Sequence, residues 1–350
     1  MTADTDLIQQ NCLYPCLFRD PLSKRLDQNT NTFPMKILPS LFSPAGKNAK
    51  LSIVIHHRVL PEPDLLLGSG GIKTFETGLN YLVNNFNVLP LSEAVNRLRS
   101  GTLPSCAACI TFDDGYADNA EIALPLLQQY GVSATFFVAS GFLDGGRMWN
   151  DTVIESVRLA KGDKLDLSSI NLGIHVITTL EQKRKALTFL IGKLKYLSHE
   201  TRASQVEKLS TIISAELPDN LMMTSAQVKR LHDAGMEIGG HTVTHPILAS
   251  IDDTTARMEI TEGKVRLEAI IGAPVRLFAY PNGKPGKDYL PAHIKMIKEA
   301  GFEAAVSTAW GAARQNSDLF QLPRFTPWDK SELFYVLRMT RNMKQEIQVV

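Results

Sequence analysis

The chain has 350 residues, of which 44% are hydrophobic, and it carries 37 basic residues against 36 acidic ones. A net charge of +1 provides no field suited to nucleic acid, so a polyanionic partner is not expected. No apolar run approaches the ~20 residues needed to cross a bilayer, and the first residues lack the basic start and apolar block of a secretory signal. We therefore expect no transmembrane segment and a cytoplasmic location.

Residues 1–45 show no sustained hydrophobic periodicity and contain several Pro, Asn and Ser residues. This pattern predicts a poorly ordered N-terminal tail, followed by one domain over residues 46–350. The sequence from Met35 onwards resembles the beginning of a protein chain. Translation initiation at Met35 rather than Met1 is therefore a hypothesis, which N-terminal sequencing of the native protein tests.

The four cysteines are too few for a disulfide scaffold. Cys12 and Cys16 lie in the predicted tail, whereas Cys106 and Cys109 lie in a strand-like run. A zinc site of four thiolates is one interpretation, but strand alternation points Cys106 and Cys109 to opposite faces. Buried, inert thiols are the alternative that we favour.

From residue 51 onwards, strand-like and helix-like segments alternate. The strand-like segments are LSIVIHHRV, CAACITF, SATFFVA, MEIGG, VRLFA and FEAAVST, and the first helical patterns cover residues 74–86, 92–99 and 118–130. Apolar strands separated by helices predict an α/β fold with a mostly parallel sheet covered by helices. No G-x-G-x-x-G follows a strand, so a closed or nearly closed β/α barrel fits better than a Rossmann sheet.

Two local patterns refine this prediction. Thr224 and Gln227 have the spacing of a capping box, and Gly235 is a candidate for the residue that ends the same helix. Residues 150–220 form a long, charged segment with a mainly helical pattern, which predicts a helical insertion on one face of the barrel.

Two adjacent carboxylates, Asp113 and Asp114, follow the apolar run CAACITF. In a β/α barrel the catalytic residues gather at the C-terminal ends of the strands. Neighbouring buried carboxylates repel each other and lose hydration, so a compensating cation is expected there.

Two histidines supply further ligands for such a cation. His241 and His245 lie four residues apart, directly after the strand-like MEIGG. One carboxylate and two imidazoles leave open positions on a divalent ion, which is typical of a catalytic rather than a structural site.

The motifs TFDDG, HTVTH and FAYPNG resemble, in the same order, those of the NodB-type polysaccharide deacetylases, also called carbohydrate esterase family four. The resemblance covers about residues 51–326. It implies a deformed (β/α) barrel of the NodB-homology type with a helical insertion. The implied activity is metal-dependent removal of N-acetyl groups from the amino sugars of a glycan, in exopolysaccharide or cell-envelope assembly, with zinc as the usual metal.

Carried over by position, the resemblance assigns roles to individual residues. Asp113 looks like the catalytic base, and the metal ligands would be Asp114, His241 and His245. The third motif, Tyr280, Pro281 and Asn282, would contact substrate, with the backbone N–H near Asn282 donating to the oxyanion.

The chain departs from the family pattern at the arginine that orients the base. Ala279 occupies the position in the third motif where many members have that arginine. Arg276 is three residues earlier on a predicted strand, and Arg324 follows the last strand pattern. We favour Arg324 as the residue that contacts the base, with an exposed arginine of no role as the alternative.

The proton donor is the second departure, because the late L-x-H motif that often supplies a histidine acid is absent. His293 lies in a helical pattern and is expected to be exposed. His56 and His57 end the first strand, and alternation points one of them inward. We favour His57 as pocket-lining, with a histidine of purely structural role at a strand end as the alternative.

Other residues near strand ends have two interpretations. Trp149, Trp310 and Trp328 would either stack on sugar rings or, more commonly, pack beneath loops. Tyr116 and Asp118 are expected to start the following helix.

The sequence leaves two other functions open. One is hydrolysis of a C–N bond in a small amide or cyclic ureide on the same scaffold, which the two departures favour. The other is a carbohydrate-binding homologue without catalysis.

Overall fold

The structure, a computed structural model, describes residues 36–214 and 216–350, except for the side chain of His199. The predicted tail therefore lies largely outside the described residues, together with Met35 and the thiols Cys12 and Cys16. Cys106 and Cys109 are both buried and not disulfide-bonded. The prediction of a tail reaching residue 45 is wrong for its last part, which contains helix α1 (Ile37–Phe42).

The described residues form eleven α-helices and nine strands. The strands are β1 (Leu51–His56), β2 (Asn87–Val88), β3 (Ala107–Phe112), β4 (Thr135–Val138), β5 (Lys164–Leu167), β6 (Gly173–Val176), β7 (Glu237–Gly240), β8 (Leu277–Ala279) and β9 (Ala304–Val306). The helices after α1 are α2 (Ile72–Asn85), α3 (Leu91–Ser100), α4 (Leu124–Gln129, preceded by a π-helical turn at Asn119–Ala123), α5 (Trp149–Leu159), α6 (Leu180–Leu194), α7 (His199–Ile213), α8 (Ser225–Asp233), α9 (Asp253–Ile271), α10 (Pro291–Glu299) and α11 (Glu332–Asn342).

Seven parallel strands form one curled sheet in the order β1-β3-β4-β7-β8-β9, with β2 paired to the start of β3. The sheet closes through residues 322–325, because Leu322 bridges Val306 on one side and Phe325 bridges Val54 on the other. The fold is therefore the deformed (β/α) barrel that the sequence predicts.

Side chains fill the interior of the barrel, so the core is solid. Strand β3 is buried along all six residues, as its apolar sequence predicts. Phe137 points inward from β4, and a side chain on the neighbouring Gly239 would overlap its ring. Glycine at this position of β7 therefore leaves room for Phe137.

The insertion comprises α5, α6 and α7 and an antiparallel β5–β6 hairpin. The hairpin was not predicted, because its strands are largely exposed and lack an apolar run like that of β3. Leu167, Leu190, Leu194 and Leu209 are almost fully buried in an apolar cluster of the insertion. Leu66 and Leu67 from the loop after β1 belong to the same cluster, so the insertion packs onto this loop.

The predicted helix signals next to the insertion are confirmed. Thr224 and Gln227 form a capping box at the start of α8, and Gly235 follows the end of this helix with φ +82°. In the part of the chain that the structure describes, no helix has both the length and the apolar character that a membrane span requires.

Helix α1 packs against α11 at the other end of the chain. The ammonium group of Lys344 lies 4.1 Å from the ring centre of Phe42, and the Ser43 hydroxyl is bonded to the backbone of Lys50. Tertiary contacts thus order a segment that is too short to show helical periodicity in the sequence.

Candidate active site

The candidate site lies at the rim formed by the C-terminal ends of the parallel strands. Asp113 and Asp114 follow β3, His241 follows β7, and Tyr280 follows β8. Because the strands are parallel, residues far apart in sequence meet at this one rim.

Asp114, His241 and His245 form a compact cluster at the rim. Oδ1 of Asp114 lies 3.5 Å from Nε2 of His241 and 3.4 Å from Nε2 of His245. All three side chains are buried, and their ligand atoms lie within 4.8 Å of one another. The structure therefore brings together the three residues that the sequence predicts as metal ligands.

Hydrogen bonding fixes the His241 ring for this role. Nδ1 of His241 lies 2.7 Å from the carbonyl oxygen of Ala279, so this nitrogen carries the proton and donates it. Nε2 then faces the carboxylate of Asp114, where either a proton or a metal cation can bridge the two groups. The donor set of one carboxylate and two imidazoles thus fits a divalent cation such as zinc.

The pKa values in the cluster follow from burial and from close charges. Burial raises the pKa of Asp114, but the bond to His241 and the charge of His245 outweigh this effect and keep it below its usual range. Burial and the charge of His241 lower the pKa of His245 to about 3. Burial lowers the pKa of His241, but the charges of Asp113 and Asp114 outweigh it and raise this pKa. His245 is consequently a neutral imidazole, the form that binds metals.

The backbone is strained where it presents these side chains. Asp114, Thr242 and His245 have φ values of +75°, +65° and +55°. Residues with a side chain rarely adopt this left-handed region, and such conformations persist only where the surroundings enforce them. The strain accompanies turns that aim Asp114 and His245 at the same point.

Arg324 contacts the adjacent carboxylate of Asp113. Its two terminal nitrogens each donate to one oxygen of Asp113, both at 2.6 Å, and its Nε donates to the carbonyl oxygen of Ser307 at 3.0 Å. The Arg324 side chain is fully buried. Burial raises the pKa of Asp113, but the charges of Arg324 and His241 outweigh this effect and hold the pKa below its usual value. Asp113 therefore stays ionised.

Arg276, the other arginine considered, lies away from the site. It pairs with Glu303 at the surface, and more than half of its side chain is exposed. Arg324 is thus positioned beside Asp113, although the position of Ala279 holds no arginine. It comes from the segment that closes the barrel.

The two histidines at the end of β1 point in different directions. The ring of His56 packs 5.3 Å from both Phe75 and Phe112, and burial lowers its pKa to about 4. His57 is half-buried, and its charge contributes to lowering the pKa values of Asp113 and Asp114. His57 is therefore the one beside the cluster.

In the third motif, Tyr280 supports the structure and Asn282 offers a donor. The buried ring of Tyr280 stacks on Tyr289 at 3.8 Å, and its backbone N–H donates to Val306. Pro281 has no N–H group. Asn282 has φ +60°, and among the described residues no acceptor is recorded for its backbone N–H.

A sequence profile described as "Polysaccharide deacetylase" matches residues 100–157 and 175–305, more than half of the chain. The chain belongs to the polysaccharide deacetylase family. This deacetylase is therefore a hydrolase that acts on carbon–nitrogen bonds. The unmatched residues 158–174 coincide with most of the β5–β6 hairpin, where the chain departs from the family pattern.

Individual relatives agree with this assignment. YxkH of Bacillus subtilis (strain 168), whose name assigns it to the polysaccharide deacetylases, is 22% identical over 79% of this chain and 71% of its own. The structure of the Streptococcus pyogenes deacetylase PplD in complex with acetate has a TM-score of 0.56 at 18% identity, covering 83% of this chain and 98% of its own. IcaB from Ammonifex degensii has a TM-score of 0.54 at 18% identity, covering 85% and 98%.

Two polar residues of the deacetylase have contacts that the sequence did not predict. His293 is buried rather than exposed, because its Nδ1 turns back to accept from the backbone N–H of Leu290 at the start of α10. Asp118 lies at the start of the helix after β3, as expected, but its side chain forms no capping hydrogen bond. Its carboxylate accepts from Nε of Arg58 at 2.8 Å and from the N–H of Val59 at 2.9 Å, which ties the loop after β1 to the loop after β3.

A hydrogen bond between the insertion and the site was not predicted from the sequence. The hydroxyl of Tyr116, two residues after Asp114, donates to the Asp151 carboxylate at 3.1 Å and 3.2 Å. Asp151 is buried in the first turn of α5. Burial raises its pKa to about 7; the charge of Arg58 opposes this rise, and that of Asp114 adds to it.

The tryptophans mainly pack against other side chains. Trp149 lies under the guanidinium of Arg202 within the insertion, at 5.1 Å. Trp310 packs 5.4 Å from Phe325 and 6.0 Å from Trp328, but 45% of its surface remains exposed.

Proposed function

We propose that this deacetylase removes N-acetyl groups from the amino sugars of a poly- or oligosaccharide and that it requires a divalent cation, zinc, for this reaction. The cluster of Asp114, His241 and His245 beside the ion pair of Asp113 and Arg324 carries this proposal. Membership in the polysaccharide deacetylase family supports the proposal, because metal-dependent deacetylation needs both metal ligands and a nearby base.

The cation would be held by Asp114, His241 and His245. When bound, it supplies Lewis acidity towards the acetyl carbonyl and towards water. The protein orients the ligands through the His241–Ala279 hydrogen bond and through the strained turns at Asp114 and His245.

Asp113 serves as the general base in this proposal. Its Oδ2 lies 4.0 Å from Nε2 of His241, so it is adjacent to the ligand set. Arg324 occupies one lone pair on each carboxylate oxygen and leaves the others available to accept a proton from the attacking water.

Two further groups complete the proposed reaction. The backbone N–H of Asn282 would donate to the oxyanion that develops on the acetyl group. His57, half-buried beside the cluster, would return a proton to the departing amine. The absence of an L-x-H motif leaves this role to a residue from another strand.

Acetate release from N-acetylglucosamine oligomers tests the proposal. We expect activity in the zinc-loaded enzyme, its loss after chelation and its return with zinc. Asp113→Asn should abolish turnover while zinc still binds, whereas Asp253→Asn, at an exposed position of α9, serves as the control and should match the wild type.

Turnover that survives chelation or Asp113→Asn contradicts the proposed mechanism. A panel of N-acetylated sugars and small amides separates substrates. If only the small amides are hydrolysed, the proposed substrate is wrong, and the same site acts on a small amide instead of a glycan.

A further inference from the structure

Helix α9 lies directly behind the loop that carries His241 and His245, and a glutamate of this helix holds the loop. Oε2 of Glu259 accepts from the backbone N–H groups of Val243 and Thr244, both at 2.8 Å. Oε1 accepts from the hydroxyl of Thr244 at 2.6 Å. One side chain therefore binds three donors between the two histidines.

Glu259 is only 5% exposed. Among the described residues its recorded partners are these three neutral donors, and no lysine or arginine forms an ion pair with it. Burial of a carboxylate costs free energy unless hydrogen bonds compensate for the lost water. Glu259 and the loop therefore depend on each other, because neither satisfies its polar groups without the other.

Gly263 extends the same contact one turn further along α9. Residues four apart share one face of a helix, so Glu259 and Gly263 both face the loop. A methyl group at Gly263 would lie 2.9 Å from the carbonyl carbon and oxygen of Thr242. The helix thus approaches the loop so closely that only glycine fits there.

The hydroxyl of Thr242 links the backbones of both histidines. This hydroxyl donates to the carbonyl oxygen of His241 at 2.5 Å and accepts from the N–H of His245 at 3.0 Å. Thr242 and His245 are both left-handed, which is a costly conformation for residues with side chains. The hydrogen bonds from α9 act on the two residues between these strained positions.

We propose that Glu259 is a positioning residue for the metal site, which keeps the backbone at 242–245 in the conformation that aims both imidazoles at Asp114. This inference rests on the proposed function in one respect, namely that the cluster binds a divalent cation. Glu259 itself binds no metal in this account, because both its oxygens are occupied by the loop.

The test compares Glu259→Gln and Glu259→Ala with the matched control Glu268→Ala. Glu268 lies on the same helix and accepts from the backbone N–H of Val275 at 2.9 Å, away from the loop. Zinc affinity is measured by competition with a chromophoric chelator, and the ligand geometry is measured from the visible absorption spectrum of the cobalt-substituted protein.

We expect Glu259→Ala to weaken zinc binding by about 10- to 100-fold, as for other residues that orient metal ligands, and to alter the cobalt spectrum. Glu259→Gln retains an acceptor for the two N–H groups and should recover part of the affinity. Glu268→Ala should destabilise the fold without changing either readout.

Zinc affinity and a cobalt spectrum in Glu259→Ala that match those of Glu268→Ala would overturn the inference. If Glu259→Ala does not fold, Glu259→Gln and Gly263→Ala decide, since both are expected to weaken zinc binding and unchanged affinity in both would reject the role. Failure of the wild type to bind zinc or cobalt would instead overturn the metal dependence itself and, with it, this inference.

Discussion

Among the charged groups near Asp113, Arg324 contributes most to keeping this carboxylate ionised. It binds both carboxylate oxygens from a fully buried position, and its charge lowers the pKa of Asp113 more than any other charge does. A lysine in its place would keep the charge but lose the two-pronged contact that positions the carboxylate. Arg324 thus both keeps Asp113 ionised and orients its carboxylate.

We predict that Arg324→Lys lowers kcat/KM for acetate release by about 10- to 100-fold, within the range of a general-base contribution. The pKa of Asp113 should rise, so the acidic limb of the pH–rate profile moves to higher pH. Arg276→Lys, at an exposed ion pair, is the matched control and should leave the profile unchanged. An Arg324→Lys profile that overlies the wild-type profile would reject the role of Arg324.

Asp151 makes a pH-dependent contribution to stability. Its pKa is about 7 in the folded protein, whereas an unfolded aspartate titrates near 4. The folded state therefore binds more protons between these values, and stability falls as the pH rises through this window. The cost follows from moving a buried carboxyl to its charged form.

We predict that Asp151→Asn, which cannot titrate, removes this loss. Between pH 5 and pH 8, the free energy of unfolding of the metal-free wild type should fall relative to the variant by about 2.7 kcal/mol, since about two of the three pKa units lie in this range. Urea unfolding at both pH values measures it, and Asp253→Asn is the exposed control. Parallel pH dependences in wild type and Asp151→Asn would show that Asp151 is not held protonated.

The sequence predicted the residues of the site that follow strand ends. Asp113, Asp114, His241 and His245 stand directly after or close behind apolar strands, and barrel topology brings such positions together. It did not reveal Asp151 or Glu259, whose partners lie across the fold and share no spacing pattern with them. For Arg324 it offered only a choice between two arginines, because the closing segment has no strand-like sequence.

At the scale of elements, the insertion packs around an apolar cluster but touches the site through Asp151. Leu190 of α6 is fully buried in this cluster, whereas Leu180 at the start of the same helix is 40% exposed. The hydroxyl of Tyr116 donates to the carboxylate of Asp151, and this hydrogen bond joins the insertion to the loop that follows Asp114.

We predict that Leu190→Ala destabilises the protein by about 2–5 kcal/mol, the cost of an unfilled cavity in a core. Leu180→Ala is the control and should cost far less, because its side chain already meets water. Zinc affinity should remain unchanged in both variants. Denaturant unfolding and a zinc titration check these outcomes, and lost zinc binding in Leu190→Ala would show that the insertion shapes the site.

Elements were predictable from the sequence where their residues are apolar and buried, even in strands as short as β8 and β9. Helices α2 and α3 lie within two residues of the predicted boundaries, and β3 within one. Helix α1 and the β5–β6 hairpin were missed, since neither contains a continuous run of buried apolar residues. Helix α1 packs against α11, and the hairpin packs against α6 and α7 of the insertion.

At the scale of the whole molecule, the barrel gathers five parts of the chain at one rim. The ends of β1, β3, β7 and β8 and the closing segment at 322–325 supply His57, the two aspartates, the histidine pair, Asn282 and Arg324. A closed or nearly closed barrel was predictable from alternating strands and helices, but the segment that closes it was not, because isolated bridges rather than a regular strand complete it.

A cation that binds only the folded barrel must stabilise it. We predict that zinc at 100 times its Kd raises the free energy of unfolding by about 2.7 kcal/mol, with a matching rise in Tm. His245→Ala should abolish this shift, whereas His293→Ala, outside the site, should retain it. An equal shift in wild type and His245→Ala would place the zinc elsewhere.

The account as a whole depends on one cation held by Asp114, His241 and His245 while Asp113 stays uncoordinated. Anomalous diffraction at the zinc edge from zinc-loaded crystals tests this claim most directly. We expect a single strong peak at about 2.0–2.2 Å from ligand atoms of these three residues, with both oxygens of Asp113 beyond bonding distance. No peak in the cluster, or zinc bonded to Asp113, would contradict the account.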